Sequence, residues 1–322
     1  MRLTDTYLKS VVYLENPIAG AEGEIDPLGT GFLIRHDDII HIVTAAHVAV
    51  ELENLSPFGI RLNRKTDGLG KIDYIESGKW FHHPDATVDF AVRPYAIPGW
   101  ADVSAAVTKH IITQFKRESK DVGVGDLAYI VGIFRPLHGK KRNVPVVHTG
   151  HIATMADNEK ITTFDWRSRS IRPPLIEIEG HLVEAHTFPA SSGSPVFVRR
   201  SLKHDHVAQD GSVLWAWKYG SVWLLGLWHG AWITDVSTQL GLAKNSVTLG
   251  VGMGITVPAP KIIEALDQAG LLILRKEIKE AEAKSSPVIP QSATRPVGRL
   301  REEMARTVLS RRPQPRKKSA KR

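Results

Sequence analysis

The stretch Pro189-Ala190-Ser191-Ser192-Gly193-Ser194-Pro195-Val196-Phe197 puts a serine in a turn-forming run of small residues just ahead of an apolar strand start. A serine hydroxyl is a weak nucleophile until an imidazole takes its proton, and the imidazole needs a buried carboxylate to fix its tautomer. Both partners lie upstream, His47 in "VTAAHV" (43–48) and Asp89 in "ATVDFAV" (86–92), so the chain order is His, Asp, Ser. A doubly wound hydrolase would instead show Gly-x-Ser-x-Gly followed by Asp and then His. Ser192 has no such elbow, and its base and acid both precede it. Asp85 is the competing acid, and Ser191 and Ser194 are the competing hydroxyls; Asp89 before "FAV" and Ser192 before Gly-x-Pro fit the chemistry better.

Seven segments in order carry a resemblance to the trypsin-like serine peptidases of the chymotrypsin fold, in a cysteine-free, bacterial style. They are "GTGFLI" (29–34), "VTAAHV", "HHPDATVDFAV" (82–92), "VGDLAYIVGIF" (124–134) with "VHTGHIA" (147–153), "SSGSP" (191–195), "LLGLWHGA" (224–231) and "GMGITVPAPKIIEAL" (252–266). The resemblance spans roughly residues 8 to 270. It implies an all-β fold of two six-stranded antiparallel barrels with a C-terminal helix and a basic tail expected to be disordered. It carries over His47, Asp89 and Ser192 as catalytic residues and the backbone amides of Ala190 and Ser192 as the oxyanion hole. His186, six before the nucleophile, and Thr187 fall at the base of the primary specificity pocket, and Trp228, His229 and Gly230 in its lining strand complete the expected substrate-binding set. No aspartate stands at position 186, so the pocket is not of the lysine- or arginine-binding kind, which leaves a small, apolar or acidic side chain open.

Two departures from the pattern matter. Ala190 stands where the family has glycine, at an oxyanion position whose backbone conformation is easiest for glycine, and a lost oxyanion donor costs roughly 10²–10³ in turnover. Ser191 replaces the aspartate that pairs with a newly cut N-terminus in zymogen-activated relatives, which implies activity that does not depend on N-terminal cleavage. Two function classes follow: an active endopeptidase acting on protein or peptide substrates, or a trypsin-like scaffold with weak turnover, against which the intact trio speaks. No cofactor and no metal is expected; the adjacent His82 and His83 point apart on a strand and lack a third ligand at convincing spacing.

With 322 residues, 42% hydrophobic and 24% charged, the chain can bury two barrel cores. It has no cysteine, which is compatible with a reducing cytosol, and neither a signal-peptide core nor a run of about 18 apolar residues is seen; a cytoplasmic protein without a transmembrane segment is expected. The net charge of +8 is local: residues 295–322 hold eleven Lys or Arg against Glu302 and Glu303, a net +9, so the other 294 residues sum to −1. Such a tail reads as a solvated segment that is open to nucleic acid or another anionic partner.

Strand signals recur at Ser10–Leu14, Gly31–Arg35, Ile39–Thr44, Val88–Arg93, Leu127–Gly132 and Val222–Leu227, punctuated by Gly, Pro, Asn and Asp. Helical spacing enters only after residue 259, in a closing helix and a second, charged one beyond Gly270. The organisation expected is a first barrel over 1–110 carrying His and Asp, a connection at 111–122, a second barrel with the closing helix over 123–275, and a charged helix and tail over 276–322.

Overall fold

The computed structural model describes residues 3–17, 26–55, 57–76, 79–108, 111, 122–156, 159–168, 170, 173–185, 191–207, 213–235 and 248–285. The connection at 112–121 and the tail beyond Ser285 lie outside them. Contacts divide the chain into Met1–Arg275 and Lys276–Arg322. Among the described residues no helix is long and apolar enough to cross a membrane.

After a short α1 (Asp5–Leu8), the first half builds β1 (Val11–Asn16), β2 (Asp26–His36), β3 (Ile39–Thr44), α2 (Ala46–Glu53), β4 (Phe58–Asn63), β5 (Gly70–Ile75), β6 (Phe81–His82), β7 (Ala91–Pro94) and β8 (Ala106–Val107). These strands form one eight-stranded sheet in the order β5-β4-β1-β2-β3-β7-β6, with β8 parallel to β2. The closed six-stranded barrel expected here is not seen among the described residues, in which the end strands of the sheet, β5 and β6, do not pair. β6 is only two residues long, and β5 has no buried position, so neither edge can drive closure. The middle strands explain the order: β3, "IIHIVT", is β-branched at every position except His41 and is buried throughout.

The second half does close. β9 (Leu127–Gly132), β10 (Val146–Thr154), β13 (His181–Glu184), β14 (Pro195–Val207), β15 (Val213–Asp235) and β16 (Thr248–Pro258) form a barrel in the order β10-β13-β16-β15-β14-β9. Between β10 and β13 the chain makes a separate hairpin, β11 (Ile161–Phe164) with β12 (Leu175–Ile178). The helices α3 (Ala259–Leu266) and α4 (Ala269–Ser285) follow at the expected places. α3 opens with Pro260 in its first turn and buries Ile262, Ala265 and Leu266.

The halves are sewn together by the loop between β9 and β10. Arg61 on β4 is nearly buried and donates to the carbonyls of Gly139 and Lys140 at 2.8 and 2.9 Å. Asn143 donates through its backbone N–H to Asn63 Oδ1 at 2.8 Å and through its side chain to the Arg61 carbonyl at 2.6 Å, while the Gly70 N–H donates to the Lys141 carbonyl at 2.7 Å. Beneath this seam Glu15 is 1% exposed, with Oε1 unpaired among the described residues. Burial pushes its carboxyl up to about 7, an effect that the nearby Arg61 charge only partly offsets.

A raised carboxyl makes folding proton-dependent in a definite direction. Between the unfolded value of 4.5 and the folded value of about 7, the native state holds a proton that the unfolded chain has lost. This contribution to stability is complete below pH 4.5 and is lost as pH rises through 7, amounting to about 3 kcal/mol. Glu15→Gln, which cannot ionise, should therefore gain stability relative to wild type at pH 8 and show little difference at pH 4.5, as read by thermal melts at both.

Candidate active site

β3 and β7 pair with Thr44 opposite Ala91, so the residues just past the end of one strand and just before the start of the other are neighbours. His47 stands in the first turn of α2 and Asp89 two residues before β7. α2 has no side-chain cap of its own, its N-cap being Ala45. Asp89 supplies the missing cap from a distance, since its Oδ1 accepts the His47 backbone N–H at 2.9 Å, one of the donors a helix start leaves without an internal partner. Its Oδ2 accepts His47 Nδ1–H at 2.8 Å. Asp89 is 1% exposed. Burial alone would raise its carboxyl, but the charges of His47 and His229 and their hydrogen bonds hold it well below the usual carboxylate range. For His47, burial opposes protonation, and Asp89, joined by Glu51, more than offsets it, so the imidazole is raised.

Ser192 lies in a four-residue turn, Ser191 to Ser194, closed by Ser194 N–H donating to the Ser191 carbonyl at 3.0 Å. Gly193 occupies its third position at φ +86°, where glycine alone is free of strain. A Cβ on Gly193 would also lie 2.0 Å from the Thr30 carbonyl oxygen. The turn is pinned from both halves. The Thr30 N–H donates to the Ser192 carbonyl at 3.0 Å, the Gly193 N–H to the Trp228 carbonyl at 2.9 Å, and the Trp228 N–H to the Ser194 carbonyl at 2.8 Å. The Ser192 N–H meets no acceptor among the described residues, so it is open toward an incoming anionic oxygen. Ala190, the other expected oxyanion donor, lies outside the described residues, as do His186 and Thr187.

Ser194 has a structural partner in sequence. A Cβ on Gly132 would fall 1.9 Å from Ser194 Oγ, and Ser194 is fully buried. Gly132→Ala is expected to cost about 1–3 kcal/mol through overpacking, and adding Ser194→Gly should recover most of it. Chemical denaturation of the two single variants and the double variant measures this coupling.

His47, Glu51 and His82 from the first half, and Ser192, His229, Gly230 and the β11–β12 hairpin from the second, line one open cleft of ≈ 940 Å³. On the hairpin side Thr163, Phe164, Trp166 and Arg167 form the wall, and Arg167 is tied to Asp165 by two bonds of 2.7 and 2.9 Å. Sequence reading did not find this hairpin, whose strands are only four residues long each. Gly230 borders Ser192: a Cβ there would sit 3.9 Å from Ser192 Oγ.

Two of the expected substrate-binding residues have other surroundings. Trp228 is fully buried in the core of the closed barrel, packed over Gly254, and is not on the cleft wall. His229 borders the cleft but donates from Nδ1 to Asp89 Oδ2 at 2.5 Å, and its ring meets that of His47 edge-on at a centroid distance of 6.0 Å. The cause is a β-bulge: Trp228 pairs with Thr256 and Gly230 with Ile255, leaving His229 as the extra residue, turned toward the acid. His82 and His83, adjacent in sequence, face Glu53 and Glu264 respectively.

No protein-family model and no curated protein matches the chain. Among solved structures, it is similar to the Rv3671c protease of M. tuberculosis in its active form, at 16% identity over 83% of this chain and 83% of that one with a TM-score of 0.42. The inactive form of that protease gives 16% identity over 81% and 89%, also at 0.42. An HtrA-type protease, AlgW, crystallised with a decapeptide, gives 13% identity over 83% of this chain and 66% of that one, at a TM-score of 0.42.

Proposed function

We propose that the protein is a serine endopeptidase that hydrolyses peptide bonds through His47, Asp89 and Ser192. The observation that carries this reading is the buried Asp89 carboxylate, which accepts both the backbone N–H and the Nδ1–H of His47 while His47 and Ser192 share one cleft. An imidazole whose Nδ1–H is held this way presents an unprotonated Nε2, the form a general base needs. His47 Nε2 takes the Ser192 proton as Oγ attacks the peptide carbonyl, and returns it to the leaving amine. Water then repeats the cycle on the acyl-enzyme. The developing oxyanion is met by the Ser192 N–H; the Ala190 amide is the second donor that the resemblance implies and lies outside the described residues.

Labelling with a fluorophosphonate probe tests the reading. The full-length protein should be labelled at Ser192, as located by peptide mass spectrometry, and should cleave a denatured protein substrate. An unlabelled, well-folded protein would overturn it.

A further inference from the structure

Ligand atoms, one each from His47, Asp89 and His229, lie within 4.8 Å of one another, and both Nδ1 atoms contact Asp89 Oδ2. Two imidazoles and one carboxylate are the donor set of an open transition-metal site, with water or a substrate group filling the fourth position. We propose that this trio binds a divalent transition cation of the Zn²⁺ class, and that the bound ion switches off the site. The inhibition rests on the peptidase reading above; the binding does not.

Geometry supports the site in three ways. The two nitrogens stand 2.8 and 2.5 Å from the same oxygen, and a tetrahedral ion with bonds of about 2.0–2.1 Å holds its ligand atoms about 3.3 Å apart. Each contact then has to open by less than about 1 Å. His47 and His229 both line the open cleft with Ser192 and Gly230, so the trio stands at the cleft's edge. Glu51, on the same cleft, adds negative charge beside His47.

The chemistry of inhibition follows from where the proton goes. A neutral imidazole that gives its Nδ1 lone pair to a metal carries its hydrogen on Nε2, so the proton that His47 shares with Asp89 moves to the other ring nitrogen. Nε2 is then a donor and cannot accept the Ser192 proton. No bond to Ser192 is made and nothing is oxidised or reduced. The metal inverts the tautomer on which general-base catalysis depends.

The test uses metal-stripped full-length Ser192→Ala protein titrated with Co²⁺, so that the readout is independent of turnover. The expected result is the intense visible absorption of four-coordinate Co²⁺, saturating at about one equivalent per chain and displaced by Zn²⁺. Adding His229→Asn keeps a nitrogen donor at the Nδ1 position, and so the bond to Asp89, but removes the ligand; Co²⁺ affinity should fall at least about 100-fold. In the protein with Ser192 intact, Zn²⁺ should block peptide hydrolysis, and in His229→Asn the concentration needed should rise by a similar factor. Absence of the Co²⁺ band, or a band equally strong in the His229→Asn background, overturns the proposal. A Co²⁺ band that depends on His229, in a protein whose wild type takes no fluorophosphonate label, would retain the metal site and discard the peptidase.

Discussion

Ser192→Ala is expected to lower turnover of a peptide substrate by about 10⁶-fold, the scale seen when a triad nucleophile is removed, and to abolish fluorophosphonate labelling. Its stability should stay within about 0.5 kcal/mol of wild type. The reason is local: the turn around Ser192 is held by backbone groups of Ser191, Ser192, Gly193 and Ser194, not by the hydroxyl. A large loss of stability alongside the lost activity would mean that the hydroxyl is a structural group. Turnover kinetics and a denaturation curve on the same preparation separate the two outcomes.

Asp89→Asn is the more telling substitution, because an amide cannot do what this carboxylate does. Three N–H groups converge on Asp89: the His47 backbone and Nδ1 groups, and His229 Nδ1. If the asparagine oxygen faces the two imidazoles, its NH₂ is aimed at the His47 backbone N–H, donor against donor. In the other orientation the NH₂ faces both rings, and each must carry its proton on Nε2, the wrong tautomer for a base. Turnover should fall by about 10⁴-fold, and stability should fall by about 1–3 kcal/mol from the unsatisfied buried donor. Turnover within tenfold of wild type would show that the acid is supplied elsewhere, and Asp85, bonded to Thr87, is the acid to examine next.

How much could be read from the sequence divides along local and non-local lines. The strands Ile39–Thr44 and Leu127–Gly132 fall where their apolar runs end, and the helices after residue 259 follow their periodicity. The pairing of His47 with Asp89 was legible from their motifs and chain order; the structural reason, that both sit beside the paired ends of β3 and β7, was not. α2 was not legible: eight residues with two valines and no capping side chain carry little helical signal, and a carboxylate 42 residues away supplies the cap. The place of His229 depends on a single extra residue against β16, and a one-residue offset reverses which side chain faces the core. That offset buried Trp228 and turned its neighbour to the acid. The unclosed first sheet had the same kind of origin, since closure depends on how two distant short strands meet and on nothing within either.

The anchoring of the Ser192 turn bears on how such a chain is made. Thr30, which holds the Ser192 carbonyl, is present early in synthesis; Trp228, which fixes Gly193 and Ser194, leaves the ribosome much later, and β16 only with Pro258. Translation delivers N-terminal segments first and at a finite pace, so a nascent chain carries Ser192 for some time without the strand that shapes its turn. On the peptidase reading, an unfinished polypeptide of this kind carries the residues of the site but not the hydrogen bonds that shape the Ser192 turn.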